Sequence, residues 1–296
     1  MHANPYVLLT LTTAFWAGNA IAGRLAAGMI SPVALTFARW FFACLVFYFI
    51  SRPHLKRDWA VIRRYLPLLF ALGAAGFSLF NIGLYWSLQY TSAINVTIEQ
   101  SAMPVLIILA NYLLFKTRIT ALQGLGVLLT ISGVLVTATR GSPIAIFETG
   151  VNKGDAMMLL CILLYGGYTV ALRYRPDIHW TSLMFVLSSS AMLLALPFYA
   201  LEILQDGFRA PGLRTWGIIA YTAIFPSMVS QMLFIRGVAM IGANRAGLFI
   251  NLVPIFGALL AVVILSESFE LFHFAGLTLV LGGIAMAERF GEHRRI

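Results

Sequence analysis

The chain has 296 residues, of which 60% are hydrophobic and only 10% are charged. Soluble proteins carry about 25% charged residues, so this chain has too little polar surface for a water-soluble globule. A net charge of +9 is typical of nucleic-acid-binding proteins. Most of the basic residues, however, lie in short segments between apolar runs, where membrane topology accounts for them. The composition predicts a polytopic membrane protein and no nucleic-acid partner.

Ten apolar runs are long enough to cross a hydrocarbon core of ~30 Å. They cover residues 5–23, 32–51, 65–88, 93–114, 120–138, 154–172, 181–202, 215–236, 243–265 and 271–289. The first run has no basic segment before it, so we interpret it as a span and not as a cleaved signal peptide. The longest polar stretches, 52–64 and 139–153, are too short for a soluble domain.

Lys and Arg are distributed unequally between the two sides of such a bundle. If both termini face the cytoplasm, fourteen of the twenty Lys and Arg residues lie on that side and five on the outer side. The remaining one, Arg39, lies inside the second span. The positive-inside rule therefore predicts that both termini are cytoplasmic.

The first and third spans contain polar residues with helical spacing. Trp16 and Asn19 are three residues apart and share a face of the first span. Asn19 requires a hydrogen-bond partner, and a contact between helices is as good an interpretation as a ligand contact. Asn81 and Tyr85 are four apart and share a face of the third span, deep enough to line a cavity.

Arg39 and Glu99 are the two clearest ionisable residues inside spans. Both lie ~10 Å below the outer boundary. Such residues cost ~2.5–3.5 kcal/mol to insert and usually face a cavity or a partner. One interpretation is a structural ion pair between them. The other is a direct contact of Glu99, and of the adjacent Gln100, with a substrate ammonium group or a proton.

The second half of the chain has further polar candidates. Tyr165 and Tyr168 share a face of the sixth span, and the two glycines between them predict close approach of a backbone or a ligand. The pair offers ring surface and hydroxyl groups, although core packing is an equal alternative. Gln231 in the eighth span and Asn251 in the ninth are buried amides that also fit a binding site.

An internal repeat relates the two halves. Residues 91–136 align without gaps on residues 241–286, which brings Pro104 onto Pro254. Two glycine pairs also match, Gly126 with Gly276 and Gly133 with Gly283. Each repeat would hold five spans, an odd number, so the second copy is predicted to be inverted in the membrane. The prolines kink their helices, which indicates a binding region or a hinge, although a static kink is equally allowed.

The segment "GANRAGLFINLVPIFGALLAVVILSESFELFHFAGLTLVLGGIAM" resembles the closing half-repeat of EamA-type permeases in the drug/metabolite transporter superfamily. "FWAGNAIAGR" (15–24) and "KGDAMMLL" (153–160) resemble the openings of its two repeats. The chain departs from the pattern at Thr117, where the family usually has the Glu found here at Glu267, and at Tyr165, where it often has Trp. The resemblance implies two five-helix repeats, 1–141 and 142–296, around a central cavity.

The expected fold is therefore all-α, with ten transmembrane helices in two inverted repeats. The resemblance implies a secondary transporter that exports small metabolites by alternating access. Amino acids with hydrophobic or aromatic side chains are the favoured substrates, as in bacterial amino-acid exporters of this family, and drugs or other metabolites are the alternative. The expected location is the inner membrane of a bacterium, with a small-molecule substrate and the lipid bilayer as partners of a monomer.

Other functional classes find little support. The five histidines are scattered without metal-ligand spacing, so no metal site is predicted. No G-x-S-x-G, H-E-x-x-H or P-loop motif occurs, so neither hydrolase chemistry nor direct use of ATP is predicted. No cofactor is expected, and proton coupling is left open. Glu99 and Arg39 alone make a poor catalytic set for an enzyme, and the lack of a sizeable soluble domain argues against a receptor or scaffold.

Overall fold

A computed structural model of the chain describes residues 4–116, 119–142 and 152–289, and within these ranges the protein is helical with no β-strand. Thr117, part of the predicted 139–153 stretch and the last residues lie outside them. The α-helices are α1 (Pro5–Ala26), α2 (Pro32–Gly73), α3 (Phe80–Ser87), α4 (Ala93–Gln100), α5 (Met103–Phe115), α6 (Ala121–Ala138), α7 (Lys153–Ala171), α8 (Trp180–Asp206), α9 (Leu213–Ile224), α10 (Ser230–Ile241), α11 (Ala243–Gly247), α12 (Val253–Leu265) and α13 (Leu271–Arg289). Two π-helical segments, Ala74–Leu79 and Phe225–Val229, join α2 to α3 and α9 to α10, and 3-10 segments cover Leu172–Tyr174 and Leu248–Leu252.

Eight helical segments in the described part of the chain are long and apolar enough to span a membrane. One of them, Pro32–Ser87, has 56 residues, about 84 Å if it were straight. It is not straight, because a straight helix would separate Arg39 from Asn81 by about 63 Å, whereas their side chains are hydrogen-bonded at 2.7 Å. The segment therefore doubles back and contains two antiparallel stretches.

Residues 52–64, expected as a polar loop between spans, are helical instead. The stretch contains four Arg and one each of Leu, Lys and Ala, all of which favour helix, and it contains no glycine. Two prolines, Pro53 and Pro67, lie inside α2. A proline lacks the amide hydrogen and clashes with the preceding turn, so these positions let the helix bend without ending.

Short polar side chains begin the helices where the sequence places them. Asn4, Ser31, Ser92, Thr120 and Asn152 each precede a helix and accept a hydrogen bond from a backbone amide of its first turn. Such caps satisfy amides that have no partner inside the helix. The helix bounds accordingly lie close to the predicted ones, and α13 coincides with the predicted span 271–289.

The predicted span 93–114 is interrupted. α4 ends at Gln100 and α5 begins at Met103, with a turn between them. Pro104 has no amide hydrogen, and its ring clashes with the carbonyl four residues earlier, that of Gln100, so the α-helical ladder breaks there. Pro254 occupies the matching position near the start of α12, directly after a 3-10 segment.

The two interrupted spans share further geometry. α5 and α12 each have 13 residues. They end at Lys116 and Ser266, which adopt left-handed backbone angles of φ 52° and 55°. These positions are 150 residues apart, the offset of the sequence repeat.

Helices α6 and α13 pack with their backbones in contact at the glycines that match in the sequence repeat. A Cβ atom on Gly126 would lie 2.5 Å from the carbonyl oxygen of Gly283, and one on Gly133 would lie 2.7 Å from that of Gly276. Small residues on facing helices allow this approach. At the two glycines between Tyr165 and Tyr168, no described backbone approaches closely, so of the two alternatives only the approach of a ligand stays a prediction.

The remaining helices surround the residues of interest. α2 packs along α8, α1 lies between α10 and α12, and α7 contacts α3, α4 and α5. One apolar core runs through α1, α3, α4 and α7, and a second joins α2 to α8 through the π-helical segment Ala74–Leu79.

Candidate functional site

The guanidinium group of Arg39 is the centre of a buried polar group that joins four segments. The residue is 4% exposed. Its Nε donates to Oγ of Ser227 at 2.5 Å. Its Nη1 lies 2.9 Å from Oδ1 of Asn19, 2.7 Å from Oδ1 of Asn81 and 2.6 Å from Oη of Tyr85. Three residues that the sequence proposed for binding thus meet at one charge. We call the set of Arg39, Ser227, Asn19, Asn81 and Tyr85 the Arg39 group.

No carboxylate of the described residues neutralises the charge of the Arg39 group. In the described ranges, ion pairs join Arg24 to Glu267 and Arg57 to Asp58, and none involves Arg39. The predicted ion pair with Glu99 is therefore wrong. The hydrogen bonds of the guanidinium use Nε and Nη1, which leaves Nη2 without a partner in the described chain. A planar guanidinium with a free edge suits a carboxylate ligand.

The first π-helical segment, Ala74–Leu79, positions part of this group. Its Phe77 carbonyl accepts hydrogen bonds from Nε1 of Trp40 at 2.9 Å and from Nδ2 of Asn81 at 2.6 Å. With the amide nitrogen of Asn81 held in this way, its oxygen is directed at the guanidinium. Single π turns occur frequently at functional sites, because they change the direction of side chains within a helix.

The second π-helical segment, Phe225–Val229, supplies Ser227. The hydroxyl of Ser227 donates to the carbonyl of Thr222 at 2.8 Å and accepts from Arg39. The sequence interpretation missed this residue. The available signal was Pro226, a proline in the middle of a span, which indicates an irregular turn.

Aromatic rings extend from the Arg39 group in a continuous series. The guanidinium carbon lies 4.9 Å from the centre of the Trp40 ring. The distance between successive ring centres is 4.6 Å from Trp40 to Phe77 and 6.0 Å from Phe77 to Tyr168. It is 5.1 Å from Tyr168 to Tyr165 and 4.8 Å from Tyr165 to Phe80. We call these five side chains the aromatic run. It includes both tyrosines proposed from the sequence and adds three residues that the sequence did not single out.

Trp16 lies in α1, three residues before Asn19, and its ring packs on that of Phe234 in α10 at 5.3 Å. It is partly buried, whereas Asn19 belongs to the Arg39 group. The shared helix face predicted for the two residues therefore connects α10 to the buried polar group.

The other predicted amides lie apart from the Arg39 group. Gln100 and Gln231 are partly buried, and no described hydrogen bond ties either to the guanidinium. The side chain of Asn251 is hydrogen-bonded to the carboxyl of Glu288 near the end of α13. The structure thus collects only part of the proposed set at one place.

Glu99 belongs to a second buried polar group. Its side chain is 0% exposed, and neither carboxyl oxygen has a hydrogen-bond partner. The charge that acts on it is that of Asp155, near the start of α7. Asp155 is 1% exposed and is hydrogen-bonded to Thr91 and to Nδ2 of Asn95, the latter at 3.5 Å. Asn95 and Glu99 are four residues apart, so they share the face of α4 that meets α7, and Thr91 lies just before this helix.

A histidine fixes the orientation of this second group. Nδ1 of His273 accepts from the backbone amide of Glu270 at 2.9 Å. Nε2 therefore carries the hydrogen and donates to Oδ1 of Asn95 at 3.0 Å, which leaves Nδ2 of Asn95 to face Asp155. The sequence missed this contact because the histidine and the asparagine lie 178 positions apart.

The first turn of α4 is held by residues from distant parts of the chain. The carboxylate of Glu267 accepts from the amides of Ala93 at 2.9 Å and Ile94 at 3.1 Å, which caps the helix and complements its dipole. Glu267 also lies 3.9 Å from Nε of Arg24, whose Nη1 donates to the carbonyl of Leu88 at 2.6 Å. Arg24 therefore helps to hold the start of α4.

The arrangement can be compared with known proteins. Residues 4–139 and 152–288 match the sequence profile of the EamA-like transporter family. The chain belongs to that family. As an EamA-like protein with many apolar helices, it is a multi-pass membrane protein.

The relatives of this EamA-like chain include an uncharacterized transporter of Bacillus subtilis, YetK, which is 26% identical over 94% of this chain and 85% of its own. A second from the same organism, YyaM, is 25% identical over 97% of this chain and 94% of its own. An uncharacterized transporter of Archaeoglobus fulgidus is 26% identical over 96% and 98%. A crystal structure of a protein with 18% identity superposes with a TM-score of 0.65 over 99% of this chain and 100% of that one, which shows a shared fold.

Proposed function

We propose that the protein is a secondary transporter that exports small metabolites with a free carboxylate, with hydrophobic and aromatic amino acids as the favoured substrates. The observation that carries the proposal is the Arg39 group, a buried cation that no carboxylate of the described chain neutralises.

The charge of Arg39 favours an anionic ligand. A buried guanidinium is stabilised by neutral oxygen atoms, but these do not cancel its charge, and charge interactions are stronger in an apolar interior than in water. A ligand carboxylate at the free Nη2 edge would supply both the missing charge and a hydrogen bond. The neutral partners Asn19, Asn81 and Tyr85 hold the guanidinium ready for it.

The aromatic run favours an apolar or aromatic side chain on that ligand. Its first ring, that of Trp40, lies against the guanidinium, so a molecule bound through its carboxylate would place its side chain near the series. Offset or edge contacts between aromatic rings add about 0.5–1.5 kcal/mol beyond the burial of apolar area. The hydroxyls of Tyr165 and Tyr168 offer polar contacts at the far end.

Transport by alternating access is supported by the internal repeat. We propose ten spans in two inverted repeats, 1–141 and 142–296, with both termini cytoplasmic, in the inner membrane of a bacterium and acting as a monomer. The matched interruptions before Pro104 and Pro254 provide places where the two halves can move against each other. No ATP-binding motif occurs in the sequence, so an ion or substrate gradient would supply the energy.

The test is counterflow in proteoliposomes. Vesicles loaded with unlabelled phenylalanine should take up labelled phenylalanine, and external leucine or tryptophan should compete. Phenethylamine and tryptamine, which lack the carboxylate, should not compete. Competition by these amines or by cationic drugs, without competition by amino acids, would favour the alternative, a drug exporter.

Matched arginine variants locate the site. Arg39→Lys keeps the charge but loses the planar fork, so we expect at least a tenfold rise in the KM for phenylalanine. Arg64 is exposed, and Arg64→Gln should transport normally. Equal kinetics in both variants would contradict the assignment of Arg39 to the substrate carboxylate.

A further inference from the structure

We propose that Glu99 and Asp155 form a proton-binding site, separate from the Arg39 group, that couples the inward movement of one proton to the export of one substrate molecule. The inference rests on the proposed transport function and adds to it the energy source.

The first support is the condition of Glu99. Its carboxyl group is completely buried in α4, and neither oxygen accepts a hydrogen bond in the described chain. An ionised carboxylate in such surroundings loses its hydration without compensation. The neutral carboxylic acid avoids that loss, so this conformation holds Glu99 with its proton.

The second support is the position of Asp155. It acts on Glu99 across the contact between α4 and α7. Its own carboxyl is hydrogen-bonded to Thr91 and Asn95, and Asn95 is held in turn by His273. Two carboxyl groups near each other in an apolar interior do not both ionise readily, so one of them retains a proton.

Charged and titratable groups lie on and beside the helices packed against α4. They are Arg24 (α1), Arg140 (after α6), Lys153 and Asp155 (α7), Glu267 (after α12), and Glu270, His273, Glu288 and Arg289 (in or next to α13).

Of these groups, Asp155 provides the charge that acts on Glu99. Arg24 and Glu267 bind each other at the first turn of α4, and Arg140 acts on Asp155 and His273. Glu288 lies fifteen residues from His273 along α13, about 22 Å away. No described cation therefore takes the place of the proton on Glu99.

A proton fits this site better than a metal ion does. Sodium or calcium requires several oxygen ligands around it. The oxygens of Glu99 have no hydrogen-bond partner in the described chain, which also contains no group of three or more metal-binding side chains. A proton requires a single oxygen.

The proposed cycle exchanges one proton for one substrate molecule. A proton from outside binds the carboxylate of the pair, and the same proton leaves toward the cytoplasm while one zwitterionic substrate leaves the cell. The substrate carries no net charge, so each cycle moves one positive charge inward. The Arg39 group binds substrate throughout and takes no part in the proton transfer.

The experiment uses proteoliposomes with the membrane potential clamped to zero and an interior one pH unit more acidic than the outside. Protons that leave should drive uptake of labelled phenylalanine to about tenfold accumulation, because a one-to-one exchange converts a tenfold proton gradient into a tenfold substrate gradient. Counterflow without a gradient is measured in the same vesicles. An encapsulated pH indicator should report one proton lost per substrate gained.

Glu99→Gln keeps the shape of the protonated side chain but binds no proton. We expect it to retain counterflow, to lose accumulation and to make counterflow independent of pH. Asp155→Asn should weaken accumulation in the same direction. Glu288→Gln is the matched control, since that carboxyl has a partner in Asn251, and it should behave like the unmodified protein.

Each outcome separates the two proposals. Absence of counterflow in the unmodified protein refutes the transport function itself. Counterflow without accumulation, accumulation driven by sodium, or accumulation that survives in Glu99→Gln overturns the proton site alone. Loss of both activities in Glu99→Gln, with the variant folded and eluting normally, also overturns it, because Glu99 would then serve binding or structure.

Discussion

Arg39 and Glu99 are both ionisable residues buried in the membrane-spanning part of the protein, and their surroundings are opposite. Arg39 has four hydrogen-bonded neighbours, all neutral, on three other segments. Glu99 has none. A charge held by oriented dipoles is stable and ready to bind an opposite charge, whereas a carboxyl without partners is stable mainly in its neutral form. The contrast indicates a permanent charge in one region and a changeable one in the other.

The largest difference in stability between the two sites is expected when each ionisable side chain is replaced by methionine. Arg39→Met leaves four buried polar side chains without their donor and should lower the stability by about 2–5 kcal/mol. Glu99→Met removes a group without partners and should change it by less than about 1 kcal/mol in either direction. Thermal unfolding of the two variants in detergent measures the difference. A similar loss of stability in both variants would contradict the proposed difference between the two sites.

A smaller effect is expected at the aromatic run. Tyr168→Leu keeps an apolar side chain but removes the ring between Phe77 and Tyr165. The effectiveness of phenylalanine as a competitor in counterflow, relative to that of leucine, should fall about three- to tenfold. This corresponds to ~0.5–1.5 kcal/mol. Tyr48→Leu, a change of an exposed ring elsewhere on α2, serves as control. An unchanged ratio would separate the rings from substrate selection.

A still smaller effect tests whether the two charges interact. Since no ion pair joins them, the stability changes of Arg39→Gln and Glu99→Gln should add within about 0.5 kcal/mol in the double variant. A double-mutant cycle on unfolding midpoints measures this. A coupling energy above about 1 kcal/mol would support the ion pair between Arg39 and Glu99 that the sequence suggested.

The smallest effect concerns a third ionisable group, at the surface. His179 caps α8: its Nδ1 accepts from the amide of Thr181 at 3.3 Å, and its ring stacks on His54 at 3.6 Å. Burial, and next the neighbouring His54, lower the pKa of His179. The unfolded chain then binds the proton more readily, so the stability should fall as the pH falls through about 6.5.

His179→Asn is the comparison for that pH effect, because asparagine also caps helices and does not titrate. Between pH 7.5 and pH 5.5, the melting temperature of the unmodified protein should decrease more than that of the variant. Identical decreases would assign the pH effect to other groups.

The sequence predicted the fold through patterns that are local. Runs of apolar residues located most of the helices, and the glycines that match in the repeat lie where α6 and α13 make their close contact. The continuous helix through residues 52–64 was not foreseen, because a charged segment between two spans reads as a loop unless its helix-forming residues are considered.

The candidate site was predicted in part. Asn19, Asn81 and Tyr85 were found because an amide or hydroxyl inside an apolar helix needs a partner. The pairing of Arg39 with Glu99 was wrong because equal depth does not fix direction: each residue turns the side chain by 100° around its helix, and Glu99 faces α7. Asp155, His273 and Ser227 were missed, since their partners are distant in sequence and the π turn near Ser227 has only a proline as its signal.

The glycine contact between α6 and α13 has a practical consequence. Two helices whose backbones touch at two levels, two turns apart, have no freedom to slide or rotate against each other without collision. They form a rigid pair inside a protein whose other helices are expected to move. Pairs of spin labels placed on α6 and α13 should give a constant distance with and without substrate. Distances from this pair to α4 or α10 would then report the moving parts directly.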